Sequence, residues 1–156
     1  MSPVFTLSVP GPADEDVRTI LVAEDEELIR LLATEYFRDC GYRVVEAGNV
    51  AEAKAVLSTN TSVDLVFSDV NMPGDEDGFA LAKWIRQHHP DTKVLLTSGF
   101  PQTSEKTRDL DEPLMPKPYA YSSVLQRIQN LFLAGQEDRL RPVGSARDLP
   151  LLAGAA

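Results

Sequence analysis

Short apolar runs alternate along this chain with longer segments whose apolar positions recur every three or four residues. "TILVA" (19 to 23) is continuous and apolar, the mark of a strand buried on both faces. In "DEELIRLLATEYFRDCG" (25 to 41), Leu28, Leu31, Leu32, Tyr36 and Phe37 are spaced as one face of an amphipathic helix. Acids crowd its first turn, where the helix dipole favours them, and Gly41 suits its C-terminal stop. "YRVVEA" (42 to 47) predicts a strand, and "NVAEAKAVLST" (49 to 59) a helix with Asn49 as its N-cap. "VDLVFS" (63 to 68) predicts another buried strand, and "GFALAKWIRQHH" (78 to 89) a helix closed by Pro90. "KVLLTS" (93 to 98) predicts a further strand. The polar stretch 101 to 113 reads as a short helix or an irregular turn, and "LMP" (114 to 116) as a brief last strand. "YSSVLQRIQNLFLAG" (121 to 135) predicts an amphipathic helix with Val124, Ile128 and Leu131 on one face and Gly135 at its end.

Five strands alternating with about five helices imply an α/β fold, with right-handed crossovers and a parallel sheet covered on both faces. Residues 1 to 17 read as a flexible lead-in and 18 to 135 as the folded domain. The tail 136 to 156 is either disordered or an arm, its "LPLLAGAA" extending a homodimer interface.

Composition narrows the partners. The 156 residues suffice for one domain with a real core. The net charge is 15 − 24 = −9, which argues against nucleic acid and against an anionic membrane surface, since both need clustered Lys and Arg. No apolar run approaches the roughly 20 residues that span a bilayer. The N-terminus lacks the basic start of a signal peptide. Cys40 is the only cysteine, so no internal disulfide forms and a cytoplasmic location is the simplest expectation. Cys40 is expected half-buried at a helix end. A lone Cys with His88 and His89 does not make a zinc site.

The candidate chemistry sits at the ends of the apolar runs. Glu24, Asp25, Glu26 and Glu27 come directly after the first, Asp69 after the third, Ser98 and Gly99 after the fourth, and Lys117 and Pro118 after the last. In a parallel sheet these all emerge at one end, where ligands bind at the reversal of strand order. With the strands of 19 to 23 and 63 to 68 as neighbours roughly 5 Å apart, Asp25 faces Asp69. Two carboxylates at ~5 Å repel by about 3 kcal/mol at an effective dielectric near 20. Lys117 supplies one compensating charge, and Mg²⁺ suits a site of few carboxylates with a phosphate nearby. Asp69 is then a candidate nucleophile toward phosphorus, with Ser98 and Lys117 as partners for phosphoryl oxygens. Taken singly, each residue also fits a duller role, as a helix-start acid, a turn aspartate, a strand exit or a solvated lysine.

Four segments carry a resemblance: "ILVAEDEELIR", "LVFSDVNMPGDEDGF", "VLLTSG" and "MPKPY". Over about residues 18 to 134 the chain resembles a receiver domain of the response-regulator family of two-component signalling. The resemblance implies a flavodoxin-like doubly wound sheet of order 2-1-3-4-5. It implies Asp69 as phospho-acceptor, Asp25 as a direct Mg²⁺ ligand and Glu24 as a metal support through water. It further implies Asn71 as a backbone-carbonyl ligand, Ser98 as the hydroxyl that turns to the phosphate, and Lys117 as the family lysine. Thr97 is a rival to Ser98. The implied partners are a sensor histidine kinase or a histidine phosphotransfer protein, and the implied action is that of a stand-alone receiver signalling by protein–protein contact or phosphorelay, not an enzyme. Two other readings compete: a receiver-like interaction module that never carries phosphate, and an Mg-dependent phosphatase with an aspartate nucleophile. One departure from the family pattern stands out. Leu114 occupies the position three before the lysine where the family often has Tyr or Phe, which puts a serine–aromatic toggle in question.

Overall fold

The computed structural model describes residues 17–99 and 114–140. Five strands, β1 (Thr19–Ala23), β2 (Arg43–Ala47), β3 (Leu65–Asp69), β4 (Lys93–Ser98) and β5 (Leu114–Pro116), form one sheet. Four helices are described: α1 (Glu27–Asp39), α2 (Val50–Leu57), α3 (Gly78–His88) and α4 (Tyr121–Leu140). All pairings are parallel and the order is β2-β1-β3-β4-β5. The chain leaves β1 toward β2 and later resumes on the other side with β3. The reversal of strand order therefore falls between β1 and β3, where a parallel sheet opens a crevice at its carboxyl end.

Alternation along β1 assigns the two faces. Ile20 and Val22 pack with Ala33 and Phe37 of α1 and with Val124, Ile128 and Phe132 of α4. Leu21 and Ala23 pack with Ala53 and Leu57 of α2 and with Leu81 and Ile85 of α3. Every residue of β1 and β3 is buried, as continuous apolar runs in a doubly covered sheet require. Each large side chain buried there contributes about 1.5–3 kcal/mol.

Local chemistry fixes the helix starts and stops. The Asn49 side chain accepts the Glu52 amide at 2.8 Å, and that of Asp77 accepts the Ala80 amide at 2.9 Å. Each such cap is worth about 1 kcal/mol. Gly41, with φ +96°, supplies the left-handed residue after Cys40 that ends α1.

Three expectations change. Leu28, Leu31 and Leu32 lie outside the core, 67%, 47% and 51% exposed, while Phe37 is buried as expected and is joined there by Ala33 and Thr34. Cys40 is exposed rather than half-buried. The last helix runs through Gly135 to Leu140. A Cβ at Gly135 would stand 3.1 Å from the Lys93 side chain, so a small residue suits this crossing of helix and sheet edge. The stretch 101 to 113, residues 1 to 16 and the tail from 141 lie outside the described residues.

Candidate functional site

The register builds the site. Ala23 is paired with Ser68, so the next residue on each strand, Glu24 and Asp69, emerges side by side. Asp69 is paired with Thr97, and Thr97 with Met115. Beyond these pairs, the Val70 amide donates to the Thr97 carbonyl at 2.9 Å and the Lys117 amide to the Ser98 carbonyl at 2.8 Å. Backbone hydrogen bonding thus continues past the strands and holds each exit loop in place.

One carboxylate oxygen from each of Glu24, Asp25 and Asp69 lies within 4.8 Å of the others. Glu24 and Asp69 are buried and Asp25 is exposed, which leaves the cluster open on one side. The Lys117 ammonium donates to Asp69 Oδ2 at 2.9 Å. The other oxygen of Asp69, Oδ1, accepts the Asn71 amide at 3.0 Å. Both oxygens of the central carboxylate are therefore oriented by donors. Ser98 and Thr97 are both buried at the end of β4, with Ser98 one step nearer the mouth.

Electrostatics follow from burial. Glu24 is only 6% exposed, and burial pushes its carboxyl up to about 7. The Glu26 amide, 3.2 Å from its Oε1, opposes that rise, the charge of Asp69 adds to it, and Lys117 opposes it. For Lys117, burial alone would lower the pKa. The hydrogen bond to Asp69 and the nearby Asp69, Glu24 and Glu26 charges outweigh burial, so Lys117 stands above the ordinary lysine value and stays cationic. Oxygen donors in this number and charge are a hard-cation set, and they fit Mg²⁺.

The structure brings Glu24, Asp25, Asp69 and Lys117 together and sets Ser98 on the neighbouring strand end. Asn71 meets Asp69 through its amide. Sequence reasoning missed three supports. Arg30 donates to the Glu24 carbonyl at 2.8 Å and pairs with Glu46 at 3.5 Å, bracing the acidic turn from α1. Gly78 closes against the exit of β3: its amide donates to the Val70 carbonyl at 2.8 Å, and a Cβ there would lie 2.4 Å from the Asp69 carbonyl oxygen. Tyr119 lines a surface pocket of about 400 Å³ with Ile29, Gly99, Lys117, Pro118 and Tyr121. A glycine opening a helix was the visible signal for the second; the other two end the segments "ILVAEDEELIR" and "MPKPY", where no role was assigned to them.

A family model described as the response regulator receiver domain matches residues 20–129. This chain belongs to that family. The receiver domain is 30% identical over 117 residues to the sensor kinase CckA of Brucella abortus (strain 2308), an alignment covering 72% of this chain and 12% of that protein. With the transcriptional regulatory protein GltR of Pseudomonas aeruginosa it shares 27% over 129 residues, 80% of this chain and 52% of that protein. The receiver thus spans about an eighth of the first relative's length and about half of the second's. Among solved structures, response regulator TrrA of Thermotoga maritima, in complex with Mg²⁺–BeF, superposes with a TM-score of 0.66 at 28% identity. That match covers 74% of this chain and 99% of that one. A receiver domain of two-component signalling therefore carries this acidic site. No described helix is long and apolar enough to cross a membrane.

Proposed function

We propose that this receiver accepts a phosphoryl group on Asp69 from the phosphohistidine of a sensor histidine kinase or a histidine phosphotransfer protein. The observation that carries the reading is the doubly oriented Asp69 carboxylate, held between the Lys117 ammonium at 2.9 Å and the Asn71 amide at 3.0 Å beside two further acids. In the transfer, a carboxylate oxygen of Asp69 forms the new O–P bond. The P–N bond breaks, and its electron pair stays on the imidazole nitrogen. Lys117 holds Asp69 in place beforehand and pairs with the phosphoryl oxygens afterwards. Ser98 donates its hydroxyl to the phosphoryl group, favoured over Thr97 by its place nearer the mouth. Asp25 and Asp69, with the Asn71 carbonyl, would hold Mg²⁺ directly, and Glu24 would support it through water. The ion supplies positive charge that offsets the acids and the incoming phosphate.

The donor protein meets the exposed Leu28, Leu31 and Leu32 at the start of α1, which open at the same end of the sheet as Asp69. Three large apolar side chains in solvent beside a functional site are a contact surface. Signalling then proceeds by protein–protein contact as the phosphorylated state shifts a two-state equilibrium. The phosphatase reading lacks its usual general acid: two residues beyond Asp69 stands Asn71. Acetyl phosphate with Mg²⁺ is expected to add one phosphoryl mass to the protein, and Asp69→Asn to abolish it. An increment that survives Asp69→Asn would refute the assignment.

A further inference from the structure

The position where many receivers carry a ring before the lysine is Leu114 here, and it packs on the α2–α3 side of the sheet. The rings near the site gather on the opposite side. Tyr119, two residues past Lys117, lies edge-on to Phe67 of β3 at 6.1 Å and to Tyr121 at 5.8 Å. Tyr121 opens α4 and stacks on Tyr36 of α1 at 5.1 Å and 26°. Tyr36 meets Phe37 edge-on at 5.8 Å, and Phe37 meets Phe67 edge-on at 5.5 Å. Five rings from three distant parts of the chain therefore close into a circuit. It touches the acidic site twice: Phe67 is two residues before Asp69 on the same strand, and Tyr119 is two residues past Lys117. The Tyr119 hydroxyl feels the charges of Glu24 and Asp69, and that of Tyr121 those of Glu24 and Lys117.

We propose that this ring circuit carries the phosphorylation state of Asp69 to α1, with Tyr119 as the reading residue and the Tyr121–Tyr36 stack as the joint. The inference rests on the phospho-acceptor reading above. Edge-to-face and stacked rings hold preferred mutual angles, and a packed side chain shifts between discrete arrangements rather than deforming smoothly. When Lys117 exchanges its hydrogen bond to Asp69 for phosphoryl oxygens, the segment carrying Tyr119 moves with it. Its edge contacts to Phe67 and Tyr121 then change together. Two of the five contacts reach α1, Tyr121 on Tyr36 and Phe67 on Phe37, and only the first starts from the segment that carries Lys117 and Tyr119. Helix α1 bears the exposed leucines, so charge at Asp69 and occupancy of that helix become linked quantities.

The chain has four tyrosines, and Tyr42 provides an internal control because it pairs with Phe132 outside the circuit. The protein is labelled with 3-fluorotyrosine, each resonance assigned from a Tyr→Phe variant, and fluorine spectra are recorded with Mg²⁺ and fluoroberyllate. A bound fluoroberyllate signal is expected. With it, the Tyr119, Tyr121 and Tyr36 resonances shift by more than a linewidth and Tyr42 stays in place. In Tyr121→Leu the bound signal and the Tyr119 shift persist, and the Tyr36 shift is lost. A bound signal with Tyr36 unmoved in the unsubstituted protein overturns the inference, whether or not the variant folds. So does a Tyr36 shift unchanged in Tyr121→Leu. Absence of any bound fluoroberyllate removes the phospho-acceptor reading itself, and the circuit proposal falls with it.

Discussion

Replacing Glu24 by glutamine tests the electrostatics of the site through protein stability, without any phosphodonor. Glu24 is 6% exposed, and burial raises its carboxyl from 4.5 to about 7. Between those values the unfolded chain has released the proton while the folded protein keeps it. The folded state binds more protons, so stability falls as pH rises through the window from 4.5 to about 7. Above it, the ionised Glu24 costs the folded state about 3 kcal/mol relative to an ordinary carboxyl. Glutamine keeps the shape and the acceptor for the Glu26 amide at 3.2 Å and removes the charge. The pull of Lys117 is already part of that shift, and solvent screening at the open mouth of the crevice trims the gain to about 2 kcal/mol at pH 8 in EDTA. At pH 4, where Glu24 is mostly protonated in the folded and the unfolded state alike, the difference should shrink below about 0.5 kcal/mol. Mg²⁺ should narrow the gap: a cation held at 100 times its Kd stabilises the native state by about 2.7 kcal/mol, and the variant would lack the carboxylate proposed to support it. Urea unfolding followed by fluorescence of Trp84, the only tryptophan, reads all of these conditions. A gain equal at pH 4 and pH 8, no gain at pH 8, or an equal Mg²⁺ effect on both proteins would refute the reasoning.

Three further substitutions probe other parts. Gly78→Ala places a Cβ 2.4 Å from the Asp69 carbonyl oxygen and 2.8 Å from Val70 Cα, both backbone, so α3 or the β3 exit must move. It should cost at least ~2 kcal/mol in urea unfolding and slow labelling by acetyl phosphate; an unchanged midpoint would contradict the contact. Thr34 is fully buried, and its hydroxyl has no hydrogen-bond partner among the described residues. Thr34→Val should therefore stabilise by about 1 kcal/mol, and a lowered midpoint would reveal a partner. Leu31→Glu, at a 47% exposed position, should cut phosphoryl transfer from a cognate histidine kinase about tenfold through the ~1.4 kcal/mol lost at one apolar contact, while acetyl phosphate labelling stays constant. Equal losses with both donors would remove the leucines from donor recognition.

The strands and the acids behind them were legible because both signals are local. An apolar run of five or six residues between turn signals marks a buried strand, and the first polar residue after it marks the strand's exit. That logic located Glu24, Asp69, Ser98 and Lys117 within one residue of the strand ends the structure assigns. On α1 it held for Phe37 and failed for the leucines, for a physical reason. Leu28, Leu31 and Leu32 dominate the hydropathy of that helix, so periodicity turned its inner face toward them. Beside the expected Phe37, the face that packs holds Ala33 and Thr34, two small side chains that carry little summed hydropathy. The end of α4 was misplaced because Gly135 resembles a terminal glycine, while the residues after it, Gln136 and Glu137, continue a helix well. The ring circuit was invisible for a different reason. Residues 36–37, 67 and 119–121 meet only through the sheet order, and no periodicity spans such separations.

The balance of charge explains why the fold tolerates such a site and what it is fit to receive. With Glu24 ionised, Glu24, Asp25 and Asp69 bring −3 and Lys117 brings +1, leaving −2 in a partly buried crevice. Two apolar layers supply the stability that offsets this: the α1–α4 face built on Ile20, Val22 and Phe67, and the α2–α3 face built on Leu21, Val66 and Leu96. As it stands, the crevice repels a phosphate donor, and the proton that Glu24 holds up to about pH 7 relieves only part of that repulsion. A divalent cation would cancel the excess of these four groups and lower the barrier to an anion. Under the proposed function, this concentration of negative charge would make a small hard cation the condition for phosphate to approach. The same excess keeps Lys117 protonated and aligned on Asp69, ready for the phosphoryl oxygens that the proposed function would bring.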